Sequence, residues 1–278
     1  MNIRTWSHEA YLKFKSVRNS SFKLDLNILL SFVLKKKISW LISHDTFELN
    51  NNILKRLHSL LMRRICGEPI SYLVGKKEFW SLSFIVSKNT LIPRPETETL
   101  VENALMRIDN NSHKKILDLG TGCGCIALAL ASMRLNCDVV GVDRVHESIN
   151  IAKRNAKILR CKNVVFLHSF WFSKINEKYD IIVSNPPYIG LNEIKDLDNE
   201  LFFEPFLALI SSENGLSSIR YIIKNSKRYL KRMGWLLIEH GWMQRARVQR
   251  LFKENNYFNI ITYQDYSGND RVTVGQKR

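Results

Sequence analysis

Apolar residues near the start of the chain recur every three or four positions, first as Leu26, Leu29, Leu30, Val33 and Leu34, then as Ile53, Leu54, Leu57, Leu60, Leu61 and Ile65. Such spacing runs an apolar stripe down one side of a helix, and short helices of this kind are stable only when their stripes bury one another. Residues 1–74 are therefore expected to fold as a small helical domain. From Gly75 to Ile92 the pattern changes to aromatic and β-branched residues, Phe79, Trp80, Phe84, Ile85 and Val86, set among turn formers, which predicts a β-hairpin linker over 75–92. Over 93–278, most clearly after Lys114, short apolar runs alternate with helical stretches. Strands are expected at Lys115–Leu119, Asp138–Val142, Val164–Leu167, Tyr179–Val183, Trp235–Ile238, Asn259–Tyr263 and Arg271–Val274, with helices between them such as Ser148–Leu159, Leu216–Leu230 and Gln244–Glu254. Strand and helix in alternation build a parallel sheet with helices on both faces, so the fold class is α/β.

Composition narrows the setting. The chain has 278 residues, 45% hydrophobic and 24% charged, which suits folded domains rather than disorder. No apolar run approaches the roughly 18 residues of a spanning helix, and Met1 to Ala10 lacks the apolar core of a secretion signal, so a cytoplasmic protein off the membrane is expected. The five cysteines are odd in number and unevenly spread, which predicts free thiols. Cys123 and Cys125 lack a second ligand pair at matching spacing, so no metal is expected. Lys and Arg number 42 against 26 Asp and Glu, a formal charge of +16 that attracts polyanions. Scattered runs such as Lys35-Lys36-Lys37 and Arg63-Arg64 equally read as solvated helix faces, and coding bias toward Lys, Asn and Ile gives the same excess. Direct nucleic-acid binding is thus permitted by the charge but not required by it.

The first chemical signal is Ile116-Leu117-Asp118-Leu119-Gly120-Thr121-Gly122-Cys123-Gly124-Cys125-Ile126-Ala127. A buried strand ends, glycines let the backbone turn beneath a ligand, and an apolar helix begins, as in nucleotide-binding βα turns. A dinucleotide fingerprint would place glycine where Cys125 stands, so a ligand without a pyrophosphate fits better. The next strand ends in Asp143, where a carboxylate can accept hydrogen bonds from both hydroxyls of an unphosphorylated ribose. Taken singly, the glycines read as a tight turn and Asp143 as a helix cap; together at this spacing they read as a site.

The second signal is Asn185-Pro186-Pro187-Tyr188 after the fourth strand. Two prolines fix the backbone beyond the carboxyl end of the strand, where ligands bind in open α/β sheets. The Asn185 side-chain oxygen and the Pro186 carbonyl can both accept hydrogen bonds from a planar NH2 group, and Tyr188 offers a ring for stacking. Glu96 and Glu98 either line a substrate channel or sit at a helix start, and the stretch Thr99-Leu100-Val101-Glu102 reads as a capping box opening that helix. His168 and His240 stand singly beside apolar strands and read as packing residues.

With these residues in place the chain resembles the class I methyltransferases acting on planar nitrogens, and more closely the release factor glutamine methyltransferases. Further segments carry the resemblance: Glu78-Phe79-Trp80, Leu91-Ile92-Pro93-Arg94-Pro95-Glu96-Thr97-Glu98, Glu204-Pro205, Leu207-Ala208-Leu209, Glu239-His240-Gly241 and Asp270-Arg271-Val272-Thr273. The resemblance implies a Rossmann-like, seven-stranded sheet with its last strand antiparallel, preceded by a helical substrate-recognition domain. It implies S-adenosyl-L-methionine as donor, S-adenosyl-L-homocysteine as product, and the glutamine of a Gly-Gly-Gln tripeptide in peptide chain release factors as acceptor. Gly120, Thr121, Gly122, Cys123, Gly124 and Asp143 would then bind the donor, with Trp171 by its adenine and Asn185 touching it too. Asn185, Pro186, Pro187 and Tyr188 would hold the glutamine, with Asn185, Pro186 and Tyr188 as catalytic residues. Where the family carries an acidic residue before the tryptophan, this chain has Phe170, which removes a hydrogen bond to the adenine amino group. A monomer is expected.

Three other readings stay open: a glutamine methyltransferase acting on a ribosomal protein, an adenine methyltransferase acting on DNA or RNA, and a non-catalytic RNA-binding protein on the same scaffold. The short helical N-terminus, with no evident groove-reading helix, argues against the second. Intact Gly120, Gly122, Gly124, Asp143 and Asn185 argue against the third.

Overall fold

The computed structural model describes residues 1–14, 22–196 and 198–278. They divide into two compact units, one formed by Met1–Lys76 with Asn199–Phe203 and the other by Lys77–Asp198 with Glu204–Arg278.

The first unit contains α1 (Ile3–Phe14), α2 (Phe22–Leu34), α3 (Ile38–Ser43), α4 (Asn51–Ile65) and α5 (Ile70–Val74). Its core joins the stripes expected from the sequence: Leu26, Leu29 and Leu30 from α2 meet Leu57, Leu60 and Leu61 from α4, with Trp6 of α1. Helix α4 starts where Asn50 turns its side-chain oxygen to the Ile53 N–H at 3.0 Å. A polar contact lies inside: Arg64 Nε donates to Asp25 Oδ2 at 2.8 Å, both side chains being buried. Burial outweighs the neighbouring guanidinium and raises the Asp25 carboxyl above its ordinary value.

The second unit opens with the hairpin β1 (Lys76–Phe79) and β2 (Leu82–Ile85), followed by α6 (Glu98–Leu105). A doubly wound stretch comes next: β3 (Lys115–Leu119), α7 (Cys125–Met133), β4 (Asp138–Asp143), α8 (His146–Leu159), β5 (Val164–His168) and β6 (Tyr179–Ser184). The short α9 (Phe206–Leu209) and α10 (Ser212–Gly215) lead to α11 (Ser217–Ser226), β7 (Leu230–Glu239), α12 (Arg245–Glu254), β8 (Phe258–Gln264) and β9 (Asp270–Gln276). The seven-stranded sheet has the order β5-β4-β3-β6-β7-β9-β8. The strands from β5 to β7 are parallel, and the last strand, β9, runs antiparallel to both its neighbours. Side chains alternate across it: Leu117, Leu119, Ile182, Leu236 and Ile238 form one core with Ile219, Ile222 and Ile223 of α11 and Val248, Leu251 and Phe252 of α12. Ile116, Ile181, Val183 and Leu237 are equally buried on the opposite face, where α6, α7 and α8 pack.

Two expectations are corrected. Thr99 does not open a capping box, because Pro95 starts a tight helical turn over Pro95–Thr97 and α6 already begins at Glu98. Proline pre-sets the backbone for a first helical turn, which moves the helix start upstream and leaves Thr99 buried within it. The Glu98 carboxylate accepts instead from the Trp80 N–H at 2.8 Å. The helix expected to run to Leu230 ends at Ser226, and Leu230 begins β7, whose polar entry of Lys231 and Arg232 hides the strand pattern.

No helix among the described residues is long and apolar enough to cross a membrane. A buried amide joins the hairpin to the sheet domain. Asn155 of α8 accepts from the Ile85 N–H at 2.8 Å and donates to the carbonyls of Ile85 at 3.1 Å and Cys123 at 2.9 Å. Truncating it leaves one buried and two partly buried backbone groups without this partner, so Asn155→Ala is expected to lower unfolding free energy by about 2 kcal/mol. Urea denaturation of the full chain, compared with the wild type, measures this.

Candidate functional site

Strand β3 ends at Leu119, and the chain folds back over β4: the N–H groups of Gly120 and Thr121 both donate to the Val142 carbonyl at 2.9 Å. Gly122 and Gly124 then take positive φ, 56° and 85°. A β-carbon at Gly122 would meet nothing, so its backbone faces open space, whereas one at Gly124 would press on Phe166 and Ala152 at 3.0 and 3.1 Å. Beneath the loop, Asp118 is fully buried and its Oδ2 accepts from the Thr121 hydroxyl at 2.6 Å and the Ala127 N–H at 3.2 Å. Burial pushes its pKa to about 7, against the pull of those two donors. The carboxylate thus ties the loop to the first turn of α7.

Asp143, at the end of β4, accepts from the Gly122 N–H at 2.9 Å and the Val145 N–H at 2.8 Å. Partial burial raises its pKa while these backbone donors hold it down. A carboxylate has about four acceptor positions, so two remain for hydroxyl groups. Across the loop, the Trp171 ring lies 3.5 Å from where a Gly120 β-carbon would stand. Trp171 has φ of 48°, a conformation rare for a bulky residue and one that a surrounding structure must enforce. Buried Ser169 does so, donating its hydroxyl to the Trp171 carbonyl and accepting from the Lys174 N–H, each at 3.1 Å. Phe170 is half exposed, with its ring 6.0 Å from Trp171 and 6.3 Å from Tyr221, and the Arg144 guanidinium stands over it at 5.4 Å.

The Asn185-Pro186-Pro187-Tyr188 corner leaves β6 directly beside this loop. Leu119 of β3 pairs with Ser184 of β6, so Gly120 and Asn185 emerge from neighbouring strands. Asn185 Nδ2 donates to the Thr97 hydroxyl at 3.1 Å, which leaves its Oδ1 to accept from elsewhere. The Tyr188 hydroxyl donates to Glu239 Oε1 at 3.2 Å, and burial together with that carboxylate raises the phenol well above its ordinary value. Glu239 is itself buried at the end of β7, and burial lifts its pKa to about 7 although Thr97, Arg271 and Tyr188 stabilise its charge.

A cavity of about 310 Å³ joins the two loops, lined by Gly120, Gly122, Asp143, Trp171, Asn185 and Pro187 among the residues expected from sequence. The others are not among the lining residues. Thr121 turns its hydroxyl to Asp118, the Cys123 side chain is buried, Gly124 packs on Phe166, Pro186 is buried and Tyr188 points its hydroxyl to Glu239. The rest of the lining includes Asn89, Ser148, Ser211, Ser217 and Ser218, from segments the motifs did not single out, and Ala208, from one of the segments that carry the resemblance. Thr97 and Glu239 were visible in sequence only as parts of quoted segments; an acid at the carboxyl end of a buried strand is the signal that would have found the second.

Comparison with known proteins follows the same division. A model described as "Methyltransferase domain" matches residues 110–275, and one described as "PrmC N-terminal domain" matches residues 5–75. A release factor glutamine methyltransferase of Buchnera aphidicola subsp. Baizongia pistaciae is 58% identical over 278 residues, all of both chains. Its counterpart from Buchnera aphidicola subsp. Acyrthosiphon pisum is 53% identical over 277 residues, covering 100% of this chain and 99% of the relative. Among solved structures, a methyltransferase from Pyrococcus furiosus is similar in fold, with a TM-score of 0.53 at 14% identity over 82% of this chain and 99% of that one. Full-length identity at this level, on a sheet whose strand ends carry both loops, shows that the chain belongs to the release factor glutamine methyltransferase family.

Proposed function

We propose that this enzyme transfers the methyl group of S-adenosyl-L-methionine to the side-chain amide nitrogen of the glutamine in the Gly-Gly-Gln motif of peptide chain release factors, leaving S-adenosyl-L-homocysteine. One observation carries the reading: the glycine loop and the Asn185-Pro186-Pro187-Tyr188 corner leave paired strands and open on a single cavity. Its volume of about 310 Å³ falls within the range of small-molecule sites, roughly 300–1,000 Å³. The backbone at Gly120 and Gly122 takes the amino-acid part of the donor, Asp143 takes the ribose hydroxyls, and Trp171 packs by the base. Thr121, Cys123 and Gly124 act by holding the loop's shape. The donor supplies a methyl carbon made electrophilic by a sulfonium.

An amide nitrogen is a poor nucleophile, since its lone pair is delocalised into the carbonyl and no ordinary side chain removes its proton beforehand. Positioning does most of the work. Asn185 Oδ1 and the Pro186 carbonyl accept the two amide hydrogens and aim the nitrogen at the methyl carbon. As the N–C bond forms and the C–S bond breaks, positive charge moves onto the nitrogen, and these two acceptors stabilise it. The proton then leaves to water and restores a neutral N-methyl amide. Pro187 stiffens the corner, and Tyr188 borders the flat carboxamide. The helical residues 1–74 serve substrate recognition, with the hairpin of residues 75–92 as the link, and the enzyme acts as a cytoplasmic monomer where release factors work.

Radiolabelled donor is offered to folded release factor, ribosomal protein and DNA in separate reactions; label is expected in the release factor glutamine. Label confined to nucleic acid would replace this reading with adenine methylation. Asn185→Ala is expected to lower kcat about 100-fold with the donor Kd changed less than about twofold. Equal losses in both would count against the acceptor role. Asp143→Ala is expected to weaken donor binding about 30-fold in calorimetry while kcat at saturating donor stays within about threefold; an unchanged Kd would remove Asp143 from the ribose site.

A further inference from the structure

The acceptor corner is backed by a polar assembly that the methyl transfer described above does not use. Ser184 pairs with Ile238, so Asn185 and Glu239 follow each other off adjacent strands. Glu239 Oε1 accepts from the Tyr188 hydroxyl at 3.2 Å. Thr97, on the tight turn before α6, accepts from Asn185 Nδ2 at 3.1 Å, and its own hydroxyl hydrogen is left to stabilise the Glu239 charge. Oε2 of Glu239 makes no direct hydrogen bond among the described residues, and the Thr97 hydroxyl and the Arg271 guanidinium of β9 stabilise the charge of the buried carboxylate as a whole. Both ends of the corner therefore refer back to one carboxylate.

We infer that Glu239 is a positioning residue of methyl transfer, an acceptor-only anchor that forces Tyr188 and Thr97 to donate toward it and so forces Asn185 to show its oxygen, never its NH2, to the incoming amide. The inference rests on the release factor reading above. A side-chain amide has a donor face and an acceptor face of nearly equal shape, and only its bonding partners select between them. A carboxylate cannot donate, so it sets the direction of each hydroxyl that meets it. Reversing Thr97 would turn Asn185 over and set NH2 against NH2 in the cavity.

Ionising this group works against folding. Its pKa of about 7 in the fold exceeds the ordinary 4.5, so its contribution to stability is full below pH 4.5 and is lost as pH rises through about 7. A group serving only the fold would be better as a neutral side chain, so an acid at this place points to the site. The groups acting on it are Tyr188 from the acceptor corner, Glu96 and Thr97 from the turn and Arg271 from β9, the last also bonded to Asp265 at 3.0 Å.

The test uses full-length enzyme with intact release factor and compares Glu239→Gln, Thr97→Val and Thr97→Ser with the wild type. Glu239→Gln is expected to lower kcat about 30-fold, with the donor Kd unchanged in calorimetry and stability at pH 8 no lower than wild type. In the wild type kcat should rise with pH to a plateau above about 7 as the carboxylate forms, and in Glu239→Gln that rise should vanish. Thr97→Val, which keeps the carboxylate and removes only the relay, should lose about tenfold, while Thr97→Ser stays within about twofold. A Glu239→Gln enzyme with wild-type kcat and pH profile overturns the positioning role alone. So does a kcat loss matched by equal loss of stability and of donor binding. A wild-type enzyme that leaves the release factor glutamine unmodified overturns both this inference and the function it rests on.

Discussion

The site depends on the lateral pairing of β3 with β6. Parallel neighbours in this sheet end at the same edge, and Leu119 opposite Ser184 sets the glycine loop and the proline corner a strand spacing apart, roughly 4.8 Å. The chain reaches that arrangement because it winds outward from β3 in one direction and from β6 in the other, so both loops turn away from the seam and leave a crevice between them. The hydrophobic burial on each face serves chiefly to keep that pairing fixed.

Three buried polar side chains translate this scaffold into a shaped site. Asp118 holds the glycine loop from below, Asn155 fixes the Cys123 carbonyl from α8, and Glu239 stands behind the proline corner. Each meets backbone or hydroxyl donors that its own strand or helix cannot satisfy, which makes the loops rigid by over-determination rather than by packing alone. Asp118 and Glu239 share a further property, since burial lifts both to a pKa of about 7 and each keeps one oxygen without a hydrogen bond among the described residues. Both support loops that line one cavity, where acids shifted by burial are candidates for a functional role.

The chain's positive charge finds no such anchor. Many of its cations are engaged locally, as Lys231 with Asp180 and Arg220 with Glu213, and others lie over aromatic rings, as Arg107 over Trp235. These contacts account for individual residues among those described.

The sequence by itself determined the helical N-terminal region, the strand and helix order of the sheet domain, and the position of the two loops, because those features are written in local periodicity and in residues whose backbone preferences are strong. Gly122, Gly124, Pro186 and Pro187 carry their conformations with them. Tertiary structure alone decided which side chains face the cavity and which stand behind it. Thr97 and Glu239 meet Asn185 and Tyr188 across 88 and 51 positions of chain, and Asn155 reaches Ile85 across 70, separations at which no local pattern survives. Local pattern hides the start of α6 for a related reason: Thr99 looks like a cap until Pro95, four residues earlier, begins the turn. Local physics selects the conformation of a segment, whereas its partners are selected by the sheet that gathers distant strand ends at one edge.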